Sequence, residues 1–305
     1  MKTSCLINNF NYANHINDAI ESALNQTIPF DEIIVIDDGS TDDSPEIISR
    51  RYGGNAKIKI ISKINQGQLS SFNEGFSNSS GDIIFFLDAD DTYEPSYLKE
   101  ALTFYELHSH CDFLYCALQT FGHSSELIRS FGRDRQLGFS ILATLYLRKW
   151  IGSPTSGISM RRRILEKILP MPDDFLNDWR VRADDCLVWG ASLAGAYKCY
   201  LDKRLVGYRI HDNNNFNRRT FNYTYRIKRI IAVNRLFNYF IEINNLENKA
   251  HFHKLIKYEF RTIQKPSIKN LLDYIRITRM IEAGLGKKLE TYTSLFCSWL
   301  SRNSS

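Results

Sequence analysis

The sequence predicts an α/β fold: a mostly parallel sheet flanked by helices, followed by a helical C-terminal extension. Three observations carry this. Apolar runs of strand length alternate with helix-period segments over about the first 120 residues. Two of those runs, EIIVID and DIIFFLD, are continuously apolar, as strands buried on both faces require. From about residue 221 onward the pattern is helical and basic.

The elements follow in order. TSCLI opens as a strand. Ile16, Ala19, Ile20, Ala23 and Leu24 then recur at helical spacing, and Pro29 lies beyond that helix. EIIVID is the second strand; GSTDDSPEIISRRY supplies a turn, capping residues and a second helix. KIKIIS is a third strand, and GQLSSFNEGFSNSS a helix ending in a polar turn. DIIFFLD, PSYLKEALTFYELH and DFLYCAL read as strand, helix and strand. Such a rhythm implies parallel strands joined by crossover helices, with ligands bound outside the carboxyl ends of the strands. Those ends carry Asn8 and Asn9, Asp37 and Asp38, and the trio Asp88, Asp90 and Asp91. Residues 120–220 are irregular and rich in Arg, Gly and Trp. Beyond them, YRIKRIIAVNRLFNYFIEI places Ile227, Ile230, Ile231, Asn234 and Leu236 near one face. HFHKLIKYEF and IKNLLDYIRITRMIEAGL are further amphipathic helices, separated by Pro266.

A chain of 305 residues, 43% hydrophobic, can bury a large core, in one domain or a domain with an appendage. It contains no apolar run of membrane-spanning length. MKTSCLINNF lacks the apolar region of a secretory leader, and the six cysteines form no C-x-x-C pair; both features fit a cytoplasmic protein with reduced thiols. Charge is divided unevenly. Residues 1–202 hold 19 Lys/Arg against 27 Asp/Glu, a net of −8; residues 203–305 hold 20 against 7, a net of +13. The basic part is either a solvated helical face or a surface for anionic lipid or an anionic acceptor, which would place the protein at the membrane periphery. Nucleic acid is not expected, because the acidic part opposes it and no recognition motif occurs.

FFLDADD gathers three carboxylates at the end of a hydrophobic strand. Hard divalent cations take oxygen ligands, and Mn²⁺ or Mg²⁺ often bridges one or two carboxylates to phosphates. The competing reading is a capping turn, with Asp91 or Thr92 as the cap. An EF-hand is excluded, because Tyr93 stands where Gly is needed and Lys99 where Glu is needed. In VIDDGSTDDS, a carboxylate at the strand end can accept hydrogen bonds from a base or ribose, or the segment can cap a helix. Neither a G-x-G-x-x-G after the first strand nor a P-loop is present.

SCLINNFNYANHINDAIESALNQTIPFDEIIVIDDGSTDDSPEII and NQGQLSSFNEGFSNSSGDIIFFLDADDTYEP together resemble, from residue 3 to about 98, the nucleotide-sugar half of family 2 glycosyltransferases. A looser likeness continues through PTSGISMRRRILEKILPMP, RADDCLVWGASLAG and LVGYRIHDNNN. The resemblance implies a GT-A (Rossmann-like) fold over residues 1–220, with a nucleotide-binding half (1–118), an acceptor half (119–220) and a basic helical extension (221–305). It implies that Asn8 and Phe10 pack the nucleotide base and Asp38 hydrogen-bonds it. Asn65, Gly67, Gln68 and Asn73 would line the nucleotide and sugar, and Asp88 would lie near the ribose. Asp90 would hold Mn²⁺ or Mg²⁺, assisted by Asp91, with His211 as a further ligand. Asp184 or Asp185 would be the catalytic base. Two positions depart from the family pattern: Pro-x-Tyr-Asn is here NNFN, and the Glu-Asp at the base is here Ala183-Asp184-Asp185.

The implied activity is inverting, metal-dependent transfer of a sugar from a nucleotide-diphosphate sugar to a hydroxyl of a saccharide or lipid-linked acceptor. A non-catalytic scaffold that binds nucleotide or glycan is the alternative from another class. A sugar nucleotidyltransferase would need a Gly-rich basic loop near the N-terminus, which NNFNYANH is not. Trp150, Trp179 and Trp189 are open to stacking on a sugar, with core packing expected for Trp189. Arg161, Arg162 and Arg163 read as a solvated face or as diphosphate ligands. His251 and His253 lack the partners of a zinc site.

Overall fold

The computed structural model describes residues 1–123, 125–128, 130–211 and 223–303. The HDNNN motif beyond His211 and the division of the chain at 220/221 lie outside the described residues.

The first half forms as its pattern predicts: β1 (Thr3–Asn9), α1 (Ile16–Leu24), β2 (Glu32–Asp37), α2 (Ser44–Tyr52), β3 (Ile58–Ser62), α3 (Gln68–Ser77) and β4 (Ile83–Asp88). A two-residue β5 (Thr92–Tyr93), α4 (Tyr97–Leu107) and β6 (Phe113–Gly122) follow. The irregular middle resolves into β7 (Leu127–Ile128), β8 (Arg135–Gly138), α5 (Ile141–Leu147), β9 (Ile158–Arg161), α6 (Arg162–Leu165), α7 (Asp184–Leu193) and a long β10 (Lys198–Ile210). The C-terminal helices are α8 (Tyr223–Ile243), α9 (Phe252–Thr262), α10 (Ile268–Met280) and α11 (Leu285–Asn303).

The strands form one sheet in the order β3-β2-β1-β4-β9-β6-β10-β5, with β7 on β6 and β8 on β10. The β3-β2-β1-β4 half is parallel, as is the β6–β10 pair. β9 inserts antiparallel between β4 and β6, so the fifth expected strand does not neighbour the fourth. A four-residue strand behind a Gly/Ser stretch leaves too short a pattern to read. Register puts Asn8 opposite Asp88 and Asn9 opposite Asp37, which aligns the polar strand ends.

Within the continuous apolar runs, alternate residues serve opposite faces. Leu6, Ile34, Ile36 and Phe86 pack with Phe72 of α3 and Leu187 of α7; Ile7, Val35, Phe85 and Leu87 pack with Ile20 of α1 and Tyr97 of α4. A third core joins α5 to Phe260, Tyr274, Ile277 and Leu295 of the C-terminal helices. There the buried Glu259 carboxylate accepts the N–H groups of Leu142 and Ala143 and the Tyr274 hydroxyl, satisfying the open end of α5. No helix of the described residues is long and apolar enough to cross a membrane.

Three expectations are corrected. On α8 the buried face is Ala232, Leu236, Phe237 and Phe240, whereas Ile227, Ile230 and Ile231 are 54–60% exposed. The arginine triplet lies away from the acidic trio, and of its side chains Arg163 alone is largely solvated, at 61% exposure. Arg161 and Arg162 donate to the carbonyls of Cys111, Tyr105 and Gly81, and Arg163 pairs with Asp112, all at the amino-terminal edge of the sheet. Trp179 is fully buried under Arg229 and presents no face to a sugar, while Trp189 packs on Phe237 as expected.

Candidate active site

The acidic trio converges. Asp88, Asp90 and Asp91 each direct a carboxylate oxygen to one place, the three atoms within 4.8 Å of one another. Each carboxylate is held by different partners. Asp88 accepts from the Asn8 amide at 2.7 Å and from Gln68 at 3.0 Å, and its backbone N–H donates to Ser156 Oγ. Asp91 accepts from Ser156 Oγ at 2.6 Å and from the backbone N–H of Arg209 at 2.9 Å. Asp90 meets His211 Nε2 at 3.1 Å, and the His211 ring lies edge-on to Tyr12. The Tyr12 phenol is raised by burial and then by the charges of Asp90, Asp88 and Asp91, which places it beside the trio.

Crowding shows in the ionisation. Burial, then the Asp90 and Asp184 charges, push the Asp88 carboxyl up to about 8. Asp91 is raised well above the usual carboxylate range by burial and by its two acidic neighbours. Tyr208, facing the same group, has its phenol raised by burial and by all four carboxylates. Asp184 is therefore within electrostatic reach of the trio.

The structure separates Asp184 from Asp185. Asp185 is completely buried and paired with Arg229 of α8 and with Arg182 at 3.2 Å. It anchors α8 to α7 instead of facing the trio. Asp184, one residue earlier in the first turn of α7, is partly exposed.

The loop before α3 forms a second wall. Asp38 accepts the backbone N–H groups of Gln66 and Gly67 at 3.0 and 2.7 Å and is paired with Lys63. Its carboxylate thus shapes the loop. Gly67 sits at φ +94°, and a Cβ there would lie 2.4 Å from the Arg180 backbone, so only glycine fits. Gln68 bridges the halves: its Nε2 donates to Asp88 and Thr155, and its Oε1 accepts the N–H of Ala183 beside Asp184. Asn65 accepts from Arg180. Asn73 spends both ends of its amide on the Met171 backbone at 2.8 and 2.9 Å, so its contacts are to a loop of the acceptor half. Phe10 is 43% exposed and leaves a ring face open at the end of β1.

Sequence reading missed Ser156, Tyr12 and Arg209. Ser156 lies in the PTSGIS stretch already noted for its likeness, but its position between Asp88 and Asp91 depends on β9 pairing with β4. Arg209 donates to the Asp90 carbonyl and to Asp18, tying the end of β10 to α1.

A parallel half-sheet whose strand ends carry an acidic trio, with a helix-borne carboxylate nearby, is the architecture of a GT-A fold. Structural comparison agrees: 99% of the chain matches 92% of Staphylococcus aureus TarS (residues 1–349, in complex with UDP-GlcNAc) at TM-score 0.61 and 19% identity. A mannosyltransferase from Pyrobaculum calidifontis, in complex with GDP-Man and Mn²⁺, matches at TM-score 0.55 and 14% identity, covering 99% of this chain and 86% of that one. In sequence, an uncharacterized glycosyltransferase of Nostoc sp. is 35% identical over 225 residues, 70% of this chain and 66% of its own length. Residues 4–169 match the family Glycosyl transferase family 2. The chain belongs to that family.

Proposed function

We propose that the protein transfers a sugar from a nucleotide-diphosphate sugar to a hydroxyl of a saccharide or lipid-linked acceptor, with inversion at the anomeric carbon. The observation that supports it best is the convergence of Asp88, Asp90 and Asp91 within electrostatic reach of Asp184. Carboxylates forced together at a strand end are poorly neutralised by the surrounding protein. A hard divalent cation fits that oxygen-rich set, and imidazole is an acceptable further ligand. Asp90 would hold Mn²⁺ or Mg²⁺ with Asp91 and His211. Such a metal, when bound, supplies Lewis-acid stabilisation of a leaving diphosphate.

The remaining roles belong to side chains. Phe10 offers its exposed ring to the base. Asn8 and Gln68 orient Asp88 for the ribose, and the loop closed by Asp38 brings Asn65 and Gly67 alongside. Asp184 takes the proton of the acceptor hydroxyl as that oxygen attacks. One displacement suffices, because Asp185 is locked to two arginines and no second carboxylate is needed as a nucleophile.

Calorimetric titration of the full chain with nucleoside diphosphates, with and without Mn²⁺, tests the donor site. One nucleotide is expected to bind in a metal-dependent way, and its sugar conjugate to be turned over. Failure of every nucleotide to bind would refute the reading; binding without turnover would favour the scaffold.

Adsorption of the basic part would bring the protein to an acceptor at a membrane surface, and α8 and α11 provide suitable faces. Tyr223, Ile227, Ile230 and Ile231 are exposed at helical spacing on α8, and Leu285, Leu289, Phe296 and Leu300 on α11, within the segment of net charge +13. The protein is expected to sediment with vesicles containing anionic lipid at low salt and to be released at high salt. Recovery in the supernatant at low salt would remove membrane attachment.

A further inference from the structure

A cleft of about 610 Å³ lies between β8, the loop after α5 and the start of α10. It is remote from the acidic trio. Tyr200 of β10 pairs with Arg135 of β8 and Tyr115 of β6, whereas Arg209 pairs with Phe121, six residues further along β6, roughly 20 Å at extended-strand rise.

Two kinds of group line it. Arg133, Arg135, Lys265 and Lys269 face the cleft, and none has an ion pair among the described residues. Lys149 is paired with Asp273 at 2.7 Å, and Asp134 accepts the backbone N–H of Asp202, so the acids on the wall are already engaged. The Arg135 guanidinium lies 4.3 Å over the Phe131 ring, and its buried Nε meets no acceptor. Phe131 is 42% exposed and Trp150 half-buried, which adds aromatic faces beside the cations.

We propose that this cleft binds an acidic saccharide, a short run of sugar rings bearing carboxylate or phosphate groups, separately from the nucleotide site. The cations select the charge, and the aromatic faces lie against the apolar sides of the rings. The side-chain amide of Gln264 and the amide nitrogen of Asn270 line the cleft and can meet hydroxyls, whereas Gln136 is held by His108, His110 and Tyr197. A volume in the 300–1,000 Å³ range suits a ligand of several rings and exceeds what one inorganic anion fills. That the ligand is a saccharide rests on the proposed sugar transfer, whose acceptor or product would then be held at a distance from the reacting end.

The test is calorimetric titration of the full chain with hexagalacturonate and, in parallel, with neutral maltohexaose. Hexagalacturonate is expected to bind at least tenfold more tightly. Lys265→Glu/Lys269→Glu should weaken it tenfold or more and leave Mn²⁺-dependent nucleoside diphosphate binding unchanged. Lys254→Glu/Lys287→Glu, which reverses two exposed charges outside the cleft, should leave hexagalacturonate binding within twofold. Absence of binding, equal binding of maltohexaose, or equal loss in both double variants would overturn the proposal. If hexagalacturonate binds but no nucleotide does, the sugar-transfer reading fails and the cleft stands.

Discussion

Asp184→Asn is expected to lower turnover by roughly 10²–10⁴-fold, the usual loss when a general base is removed. It should leave the melting temperature and nucleotide affinity close to wild type. Asp184 is partly exposed, lies in the first turn of α7, and raises the Asp88 carboxyl through its charge. Asp185→Asn should do the reverse. Its carboxylate is fully buried and paired with Arg229 and Arg182, so removing the charge leaves two cations without their partner. Breaking a buried pair costs about 3–5 kcal/mol; the amide oxygen can still accept, which places this variant near the lower end. At about 2–4 °C per kcal/mol, the melting temperature should fall by roughly 10 °C. Steady-state turnover and thermal melts of the two variants separate the roles. A stable but inactive Asp185→Asn beside an active Asp184→Asn would exchange the assignments.

The parts of this molecule that could be read from sequence are those whose physics is local. EIIVID and DIIFFLD are continuously apolar because helices cover both faces of β2 and β4, and the polar residues ending them fall at one sheet edge by topology alone. The contacts that finish the site are not local. Ser156 reaches Asp88 and Asp91 only because β9 runs antiparallel beside β4, and Arg229 reaches Asp185 across 44 residues of chain. Asn73 shows a second limit. Its amide has the hydrogen-bonding capacity a sugar pocket uses, yet both ends meet the Met171 backbone. On α8, two stripes compete at helical spacing. The isoleucines look like a core face, but Phe237 and Phe240 bury more area per residue and turn inward.

Asp90→Asn is expected to abolish metal-dependent nucleotide binding and to lower turnover by about 10³-fold, the loss of several kcal/mol of charge stabilisation. The same substitution should not destabilise the metal-free protein. Asp88 and Asp91 are both raised in part by the Asp90 charge, so neutralising it relieves repulsion at the end of β4. In the presence of a chelator, the variant should melt no lower than wild type. Wild type should gain about 2.7 kcal/mol with nucleoside diphosphate and Mn²⁺ at a hundred times the dissociation constant, and the variant should gain nothing. Asp91→Asn is the contrasting case. Asp91 holds Ser156 Oγ and the Arg209 backbone N–H, so its loss should lower the melting temperature even without metal. A metal-dependent gain that survives Asp90→Asn would move the cation to the other carboxylates of the trio. If Asp90→Asn melts well below wild type in chelator, its contacts with His211 and Tyr12 outweigh the repulsion, and the trio is then better understood as a structural hub than as a site held under charge strain for its ligand.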